Sequence, residues 1–248
     1  LICYAASDKG IVRKQNEDDL LVSCQPVGMM PNLFMVADGM GGHRGGRFAS
    51  RFTIRTVADL CRHTFRDAPI PLMKDVIATT NRKLYDESKR NPALAGMGTT
   101  LVMATIVEDI LYVANVGDSR LYVFDGENLR QITRDHSFVE EMIQEGKLER
   151  DSAKYHEQKN VITRAVGVFP FVTPDFFEVQ LNPGDIILMC SDGLTNMVDD
   201  QQLTGLLALE EDLETKADHL IDEGIANGGK DNLSVVLIDP GLDEEELW

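Results

Sequence analysis

Short apolar runs, each stopped by glycine or an acidic residue, recur along the chain, and each predicts a buried strand. Leu33–Ala37 runs straight into Asp38-Gly39. Leu101–Val107 and Ile110–Val116 are rich in β-branched residues and are separated only by Glu108-Asp109. Leu121–Phe124 stops at Asp125-Gly126, a strong hairpin signal, and Leu129–Ile132 resumes. Phe176–Leu181 and Asp185–Cys190 flank Asn182-Pro183-Gly184 and read as another strand pair, with Leu233–Ile238 as a last strand. This is the grammar of an antiparallel meander.

Between these runs the apolar period changes to that of a helix. After a glycine-rich loop, Gly39–Gly46, the residues Ala49, Phe52, Thr56, Val57, Leu60 and Cys61 share one helical face. A second helix is predicted from near Pro71, with Leu72, Val76, Thr80 and Leu84 on its apolar side. Two more are predicted over about 200–209 and 213–226. Residues 138–160 are polar and helix-prone, a peripheral insert. Helices and strands come in blocks rather than alternating, which predicts an α+β fold with antiparallel sheets covered by helices. One domain over 1–240 is expected, with an acidic tail at 241–248.

Composition narrows the partners. The chain has 248 residues, 43% of them hydrophobic, with 24 Lys+Arg against 41 Asp+Glu and a net charge of −17. Such a surface repels nucleic-acid phosphates and anionic lipid, so neither is an expected partner. No apolar run approaches the roughly 18 residues of a membrane span. The N-terminus lacks a basic stretch followed by an apolar one, so no signal peptide is expected. Cys3, Cys24, Cys61 and Cys190 form no Cys-x-x-Cys pair. Four reduced thiols and a cytoplasmic location are the expectation.

The candidate chemistry lies in carboxylates at strand–loop junctions. Asp38 and Asp192 each sit where an apolar run meets glycine, and Asp231 stands just before the last strand. Asp118 follows Val116-Gly117, and Asn16-Glu17-Asp18 precedes Leu20-Leu21-Val22. One such junction is ordinarily a turn. Five are harder to explain that way, and converging carboxylates repel one another unless cations neutralise them. An all-oxygen set favours Mg²⁺ or Mn²⁺ over Zn²⁺. Two look-alikes fail. Gly224–Asp231 nearly spells a phosphate-binding loop, but Asp stands where Ser or Thr is needed and a strand follows instead of a helix. Gly117-Asp118-Ser119-Arg120 lacks the second glycine of a serine-esterase elbow. No cysteine has an arginine six residues on, so thiol-phosphatase chemistry is excluded.

Eight blocks in order resemble the metal-dependent protein phosphatases, the type-2C serine/threonine phosphatases, in their compact bacterial form. They are Ser7-Asp8-Lys9-Gly10 with Arg13 and Asn16-Glu17-Asp18; Val36–His43; Gly96–Thr100; Asn115–Arg120; Asp135-His136-Ser137; Ile162–Gly167; Cys190–Leu194; and Gly229–Ser234. The match runs from about residue 4 to 240.

The resemblance implies a four-layer α-β-β-α sandwich, two antiparallel sheets face to face with helices on both outer faces. It also implies roles. Asp38 would bridge two metals and the Gly39 carbonyl would bind one of them. Asp192 and Asp231 would complete the other site, and Glu17 and Asp18 would act at the same cluster, partly through water. Asp118 with Asp192 would hold a third ion. Arg13 would grip the substrate phosphate, His43 would be the general acid, and 138–160 would be a flap beside the site.

The implied function is hydrolysis of phosphoserine and phosphothreonine in one in-line step by a metal-bridged hydroxide, with two or three Mn²⁺ or Mg²⁺ ions. Phosphorylated proteins, including a Ser/Thr kinase and its substrates, are the implied partners of a monomeric enzyme. Two alternatives stay open: a catalytically weak sensor of the same fold that binds metal and phosphoprotein, and a dedicated phosphatase for one anti-sigma-type switch protein. The chemistry asks for these groups. Phosphate monoesters are among the slowest biological bonds to hydrolyse. Arginine's planar fork matches two phosphoryl oxygens, and a serine alkoxide leaves poorly without a proton donor.

Overall fold

Unbroken apolar strands need cover on both faces, and the fold supplies it. The computed structural model describes residues 1–149 and 160–242, with the backbone alone at 42–44. One sheet has the order β1 (Ile2–Asp8), β12 (Leu233–Asp239), β11 (Ile186–Cys190), β8 (Arg120–Phe124), β9 (Leu129–Gln131). The other has the order β10 (Asp175–Gln180), β7 (Ile110–Val116), β6 (Leu101–Val107), β3 (Leu33–Ala37), β2 (Asp19–Ser23). All pairings in both are antiparallel.

Along β3, Phe34 and Val36 point into the layer between the sheets, while Leu33, Met35 and Ala37 point the other way. That outer side is covered by α1 (Gly42–His63) and α2 (Pro69–Arg90), through residues such as Ala49, Val57, Leu72 and Ile77. In β12, Val236 and Ile238 meet Phe34 and Val36 in the middle, and Val235 and Leu237 face α5 (Asp200–Leu207) and α6 (Leu213–Ala226). The expected α+β sandwich of four layers is what forms. Period-2 alternation is present in space but hidden in sequence, because both faces of each central strand are apolar.

Three expectations need correction. Asn182-Pro183-Gly184 does not join a hairpin: β10 pairs with β7 in one sheet and β11 with β12 and β8 in the other. The turn is real, with Asp185 donating its N–H to the Asn182 carbonyl, but it carries the chain across the sandwich. A local turn signal says that the chain reverses, not which sheet receives it. The glycine-rich loop is also shorter than expected. Gly39–Met40 forms β4, paired with β5 (Gly98–Thr99), and α1 already begins at Gly42. This tight stacking needs glycine: a Cβ on Gly39 would lie 2.1 Å from the Gly46 carbonyl oxygen.

The third correction concerns the thiols. Cys3 and Cys24 are joined as a disulfide, where four reduced thiols were expected, while Cys61 and Cys190 are free and buried. The two bonded residues lie on and just beyond the edge strands β1 and β2, which border each other across the sandwich. A spacing of 21 residues gives no hint of that.

The predicted second helix starts two residues earlier than expected, with Pro69 in its first turn. In the expected flap, α3 (Phe138–Gln144) is capped by Ser137, whose hydroxyl accepts from the Glu140 N–H. Residues 150–159 of that segment, and 243–248 of the acidic tail, lie outside the described residues.

Candidate active site

Each candidate acid stands where a strand ends at the same rim of the sandwich. Asp38 follows β3, Asp118 lies between β7 and β8, and Asp192 opens the short helix α4 (Asp192–Thr195) directly after β11. Asp231 precedes β12, and Glu17 and Asp18 precede β2. A pocket of about 780 Å³ is lined by Arg13, Glu17, Asp38, Gly39, Asp118, Asp192 and Asp231. Every acid named from the sequence except Asp18 therefore faces one cavity. Asp18 lies behind it, buried.

The backbone here is pinned by hydroxyls and amides. Asp38 donates its N–H to Thr100 Oγ1 at 2.9 Å, and its carbonyl accepts from Thr99 Oγ1 at 2.8 Å. Asn232 ties the 9–17 loop to β12: its Oδ1 accepts from the Glu17 N–H, and its Nδ2 donates to the Lys9 and Gln15 carbonyls. Asn196 donates to Asp192 Oδ2 at 2.9 Å. Ser191 and Ser234 both donate to Asp18 Oδ2, at 2.8 and 2.6 Å. These supporting residues were not singled out from the sequence. Ser191 and Ser234 sit inside the quoted motif blocks, but nothing local tells that they reach a carboxylate 173 and 216 residues away.

A second group braces Asp118. The Gly117 N–H donates to His136 Nδ1 at 3.1 Å, and His136 Nε2 meets Asp175 at 3.1 Å. Arg164 bonds the same Asp175 at 2.9 Å, so it is an ion-pair partner. Burial holds the His136 pKa below its usual value, which fits a neutral ring accepting at Nδ1. Arg120, beside Asp118, forks onto Asp135.

The electrostatics of the cluster is unbalanced. Burial, then repulsion from Asp18, Asp192, Asp118 and Asp231, pushes the Asp38 carboxyl well above the usual aspartate range. Asp118 is pushed up by burial and by Asp192, and Asp192 by burial and by Asp231. Asp18 rises to about 7, chiefly by burial, despite its two serine donors. Its Oδ1 is buried without a hydrogen-bond partner. Oxygen donors that repel one another, one of them orphaned, suit a hard divalent cation. Among the described residues, no three of these side chains draw close enough to form a ready-made metal cage; they share a pocket.

Arg13 lies at the mouth, half exposed, its Nη2 donating to Asp231 Oδ2 at 2.6 Å. His43 belongs to the first turn of α1, two residues after Gly41 of the pocket wall; its side chain lies outside the described residues.

A sandwich of this topology gathers acids at one rim, the donor set of a hard-cation site. A profile of the protein phosphatase 2C family matches residues 6–233. The serine/threonine phosphatase stp of Listeria welshimeri is 38% identical over 250 residues, covering 95% of this chain and 94% of that protein. The protein phosphatase PhpP of Streptococcus pneumoniae is 32% identical, covering 97% of both. The crystal structure of the serine/threonine phosphatase Stp1 from Staphylococcus aureus aligns with a TM-score of 0.89 at 34% identity, over 96% of this chain and 94% of that one. The S. agalactiae serine/threonine phosphatase aligns equally well, covering 95% and 98%. This chain belongs to the protein phosphatase 2C family and is a metal-dependent serine/threonine phosphatase. No helix among the described residues is long and apolar enough to cross a membrane.

Proposed function

We propose that the rim pocket removes phosphate from phosphoserine and phosphothreonine side chains of proteins, in opposition to a Ser/Thr kinase, as a cytoplasmic monomer. The observation that carries the reading is the gathering of Arg13, Glu17, Asp38, Asp118, Asp192 and Asp231 around one cavity. Asp38, the Gly39 carbonyl, Asp192 and Asp231 would hold a pair of Mn²⁺ or Mg²⁺ ions, with Glu17 and Asp18 supporting them. Asp118 with Asp192 would hold a third. Bound there, such cations supply Lewis acidity towards water and towards phosphoryl oxygen.

The chain's own residues do the rest. Asp18 anchors the cluster from behind, held by Ser191 and Ser234. The backbone clamps on Asp38 and Glu17 fix where their carboxylates start, so that little reorganisation is left for the reaction. Arg13 binds the phosphate with the donors of its fork not taken by Asp231. His43 passes a proton to the departing serine or threonine oxygen. The described part of the expected flap, α3, would help shape the choice of substrate.

The test is hydrolysis of a phosphothreonine peptide and of p-nitrophenyl phosphate with Mn²⁺. Both activities should vanish in excess EDTA, and full turnover there would overturn the reading. His43→Ala should slow the peptide by about 10²-fold or more. It should barely touch p-nitrophenyl phosphate, whose leaving group needs no proton. Equal losses would remove the acid role.

A further inference from the structure

The outer face of α1 is cationic in a protein that is otherwise strongly acidic. Arg47, Arg51 and Arg55 recur every fourth residue, so they lie on one helical face, and all three are exposed. Six arginines elsewhere are paired: Arg13, Arg66, Arg82, Arg90, Arg120 and Arg164 each lie within 3.2 Å of a carboxylate. The three of α1 have no such close partner among the described residues. They share the field of one half-buried carboxylate, Asp19 on β2. Asp59, one turn beyond Arg55, lies 3.6 Å from His63, so three guanidinium groups stand against two carboxylates and the face stays positive.

That face also borders a cavity. Arg47 and Arg51 line a pocket of about 410 Å³ with Ser7, Asn16, Asp19 and the buried Asp18. Asp18 turns one oxygen to Ser191 and Ser234, so Asp19 is the carboxylate the arginines meet. The pocket shares Gln15 with the active-site cavity, so the two lie on either side of the same loop. Phe48, exposed on the same face and stacked on Phe52 at 5.6 Å, adds an apolar contact.

We propose that the Arg47–Arg51–Arg55 face of α1 and its adjoining pocket dock an acidic segment of the phosphoprotein substrate while the phosphorylated residue enters the rim pocket. The inference rests on the phosphatase reading and deepens it. Charge complementarity chooses the occupant. A net charge of −17 repels acidic chains from most of the surface, so an acidic segment is steered to a stripe where three guanidinium groups without a close carboxylate share one helical face. Guanidinium forks on one helix face match carboxylates spaced along a peptide.

The test uses the whole chain with Mn²⁺ and two readouts. In the first, anisotropy of a fluorescein-labelled octaglutamate peptide reports docking without any turnover. Arg51→Glu/Arg55→Glu should weaken binding about tenfold, and Arg51→Lys/Arg55→Lys should retain most of it. Raising salt towards about 1 M, where the screening length is only ~3 Å, should abolish the difference. In the second, phosphothreonine peptides with acidic or neutral flanks are compared. Wild type should favour the acidic flank in kcat/KM, and the Glu variant should lose that preference while hydrolysing p-nitrophenyl phosphate as before. Peptide binding unchanged in the Glu variant would overturn the docking site. Failure of every protein to hydrolyse p-nitrophenyl phosphate would instead sink the phosphatase reading and leave the binding result to stand. Tighter peptide binding by a chain lacking residues 243–248 would make the protein's own acidic end the occupant and overturn the assignment. Binding to phosphatidylserine vesicles stronger than to the peptide would do the same in favour of a lipid surface.

Discussion

Strand β3 has a polar residue at each end, Asn32 buried and Asp38 half-buried at the pocket, and the two are treated in opposite ways. At its start, Asn32 pairs both ends of its side-chain amide with the backbone of β6. Its Oδ1 accepts from the Ile106 N–H at 2.7 Å, its Nδ2 donates to the Ile106 carbonyl at 2.8 Å, and its own carbonyl accepts from Thr105 Oγ1. At its finish, Asp38 enters a group of acids that raise one another's pKa and leave Asp18 Oδ1 unpartnered. The first end is a finished joint that holds β3 to β6. The second is unfinished within the protein alone, and a net negative gap of that kind asks for cations. The contrast separates a polar group that serves the fold from one that serves chemistry.

The comparison breaks most visibly at Asp38. Asp38→Asn should cut Mn²⁺-dependent phosphatase activity by something on the order of 10³-fold, the scale of losing a charge-stabilising group at a reacting centre. The same change should raise the melting temperature of the EDTA-treated protein, because it removes one of the mutually repelling charges. A variant that is both inactive and less stable would mean that Asp38 is structural, like Asn32.

At the other end, Asn32→Leu should cost about 2–4 kcal/mol in urea unfolding, since the Ile106 N–H and carbonyl would both be orphaned. Turnover per folded molecule should stay as in wild type. A parallel loss of kcat would show that the two ends are not separate.

The smallest effect is a pH slope. Asp18 titrates at about 7 in the fold against 3.8 ordinarily, so the folded chain keeps a proton that the unfolded chain has released between those values. The unfolded state binds fewer protons there, and stability of the EDTA-treated protein should fall as pH rises across that window. Asp38, Asp118 and Asp192 act in the same direction. Urea midpoints measured in EDTA from about pH 4.5 to about 7.5 check it. Saturating Mn²⁺ should reverse the slope, and a flat profile in EDTA would remove the repulsion argument.

Much of this was legible before any coordinates. The strands Leu33–Ala37, Leu101–Val107 and Ile110–Val116 fall where the apolar runs place them, because each run is bounded by residues that strands exclude. The acids at their ends were readable as a set, since one such junction is ordinarily a turn but five of them are not explained by turns alone. What stayed hidden was long-range. Asn182-Pro183-Gly184 announces a reversal but not a change of sheet, and Cys3 finds Cys24 only because two edge strands adjoin. Asp18's serine donors are likewise products of β11 and β12 lying side by side, which no local pattern encodes.

The rim acids do not all hang from one sheet. Asp38 ends a strand of one, while Asp192 and Asp231 adjoin strands of the other, with Phe34 and Val236 filling the seam between. A cation gripped from both sides would act as a rivet through the two layers. Any slippage of one sheet on the other, started by a mis-sized side chain far inside the seam, would be read out at the rim as weakened ion affinity before unfolding is measurable.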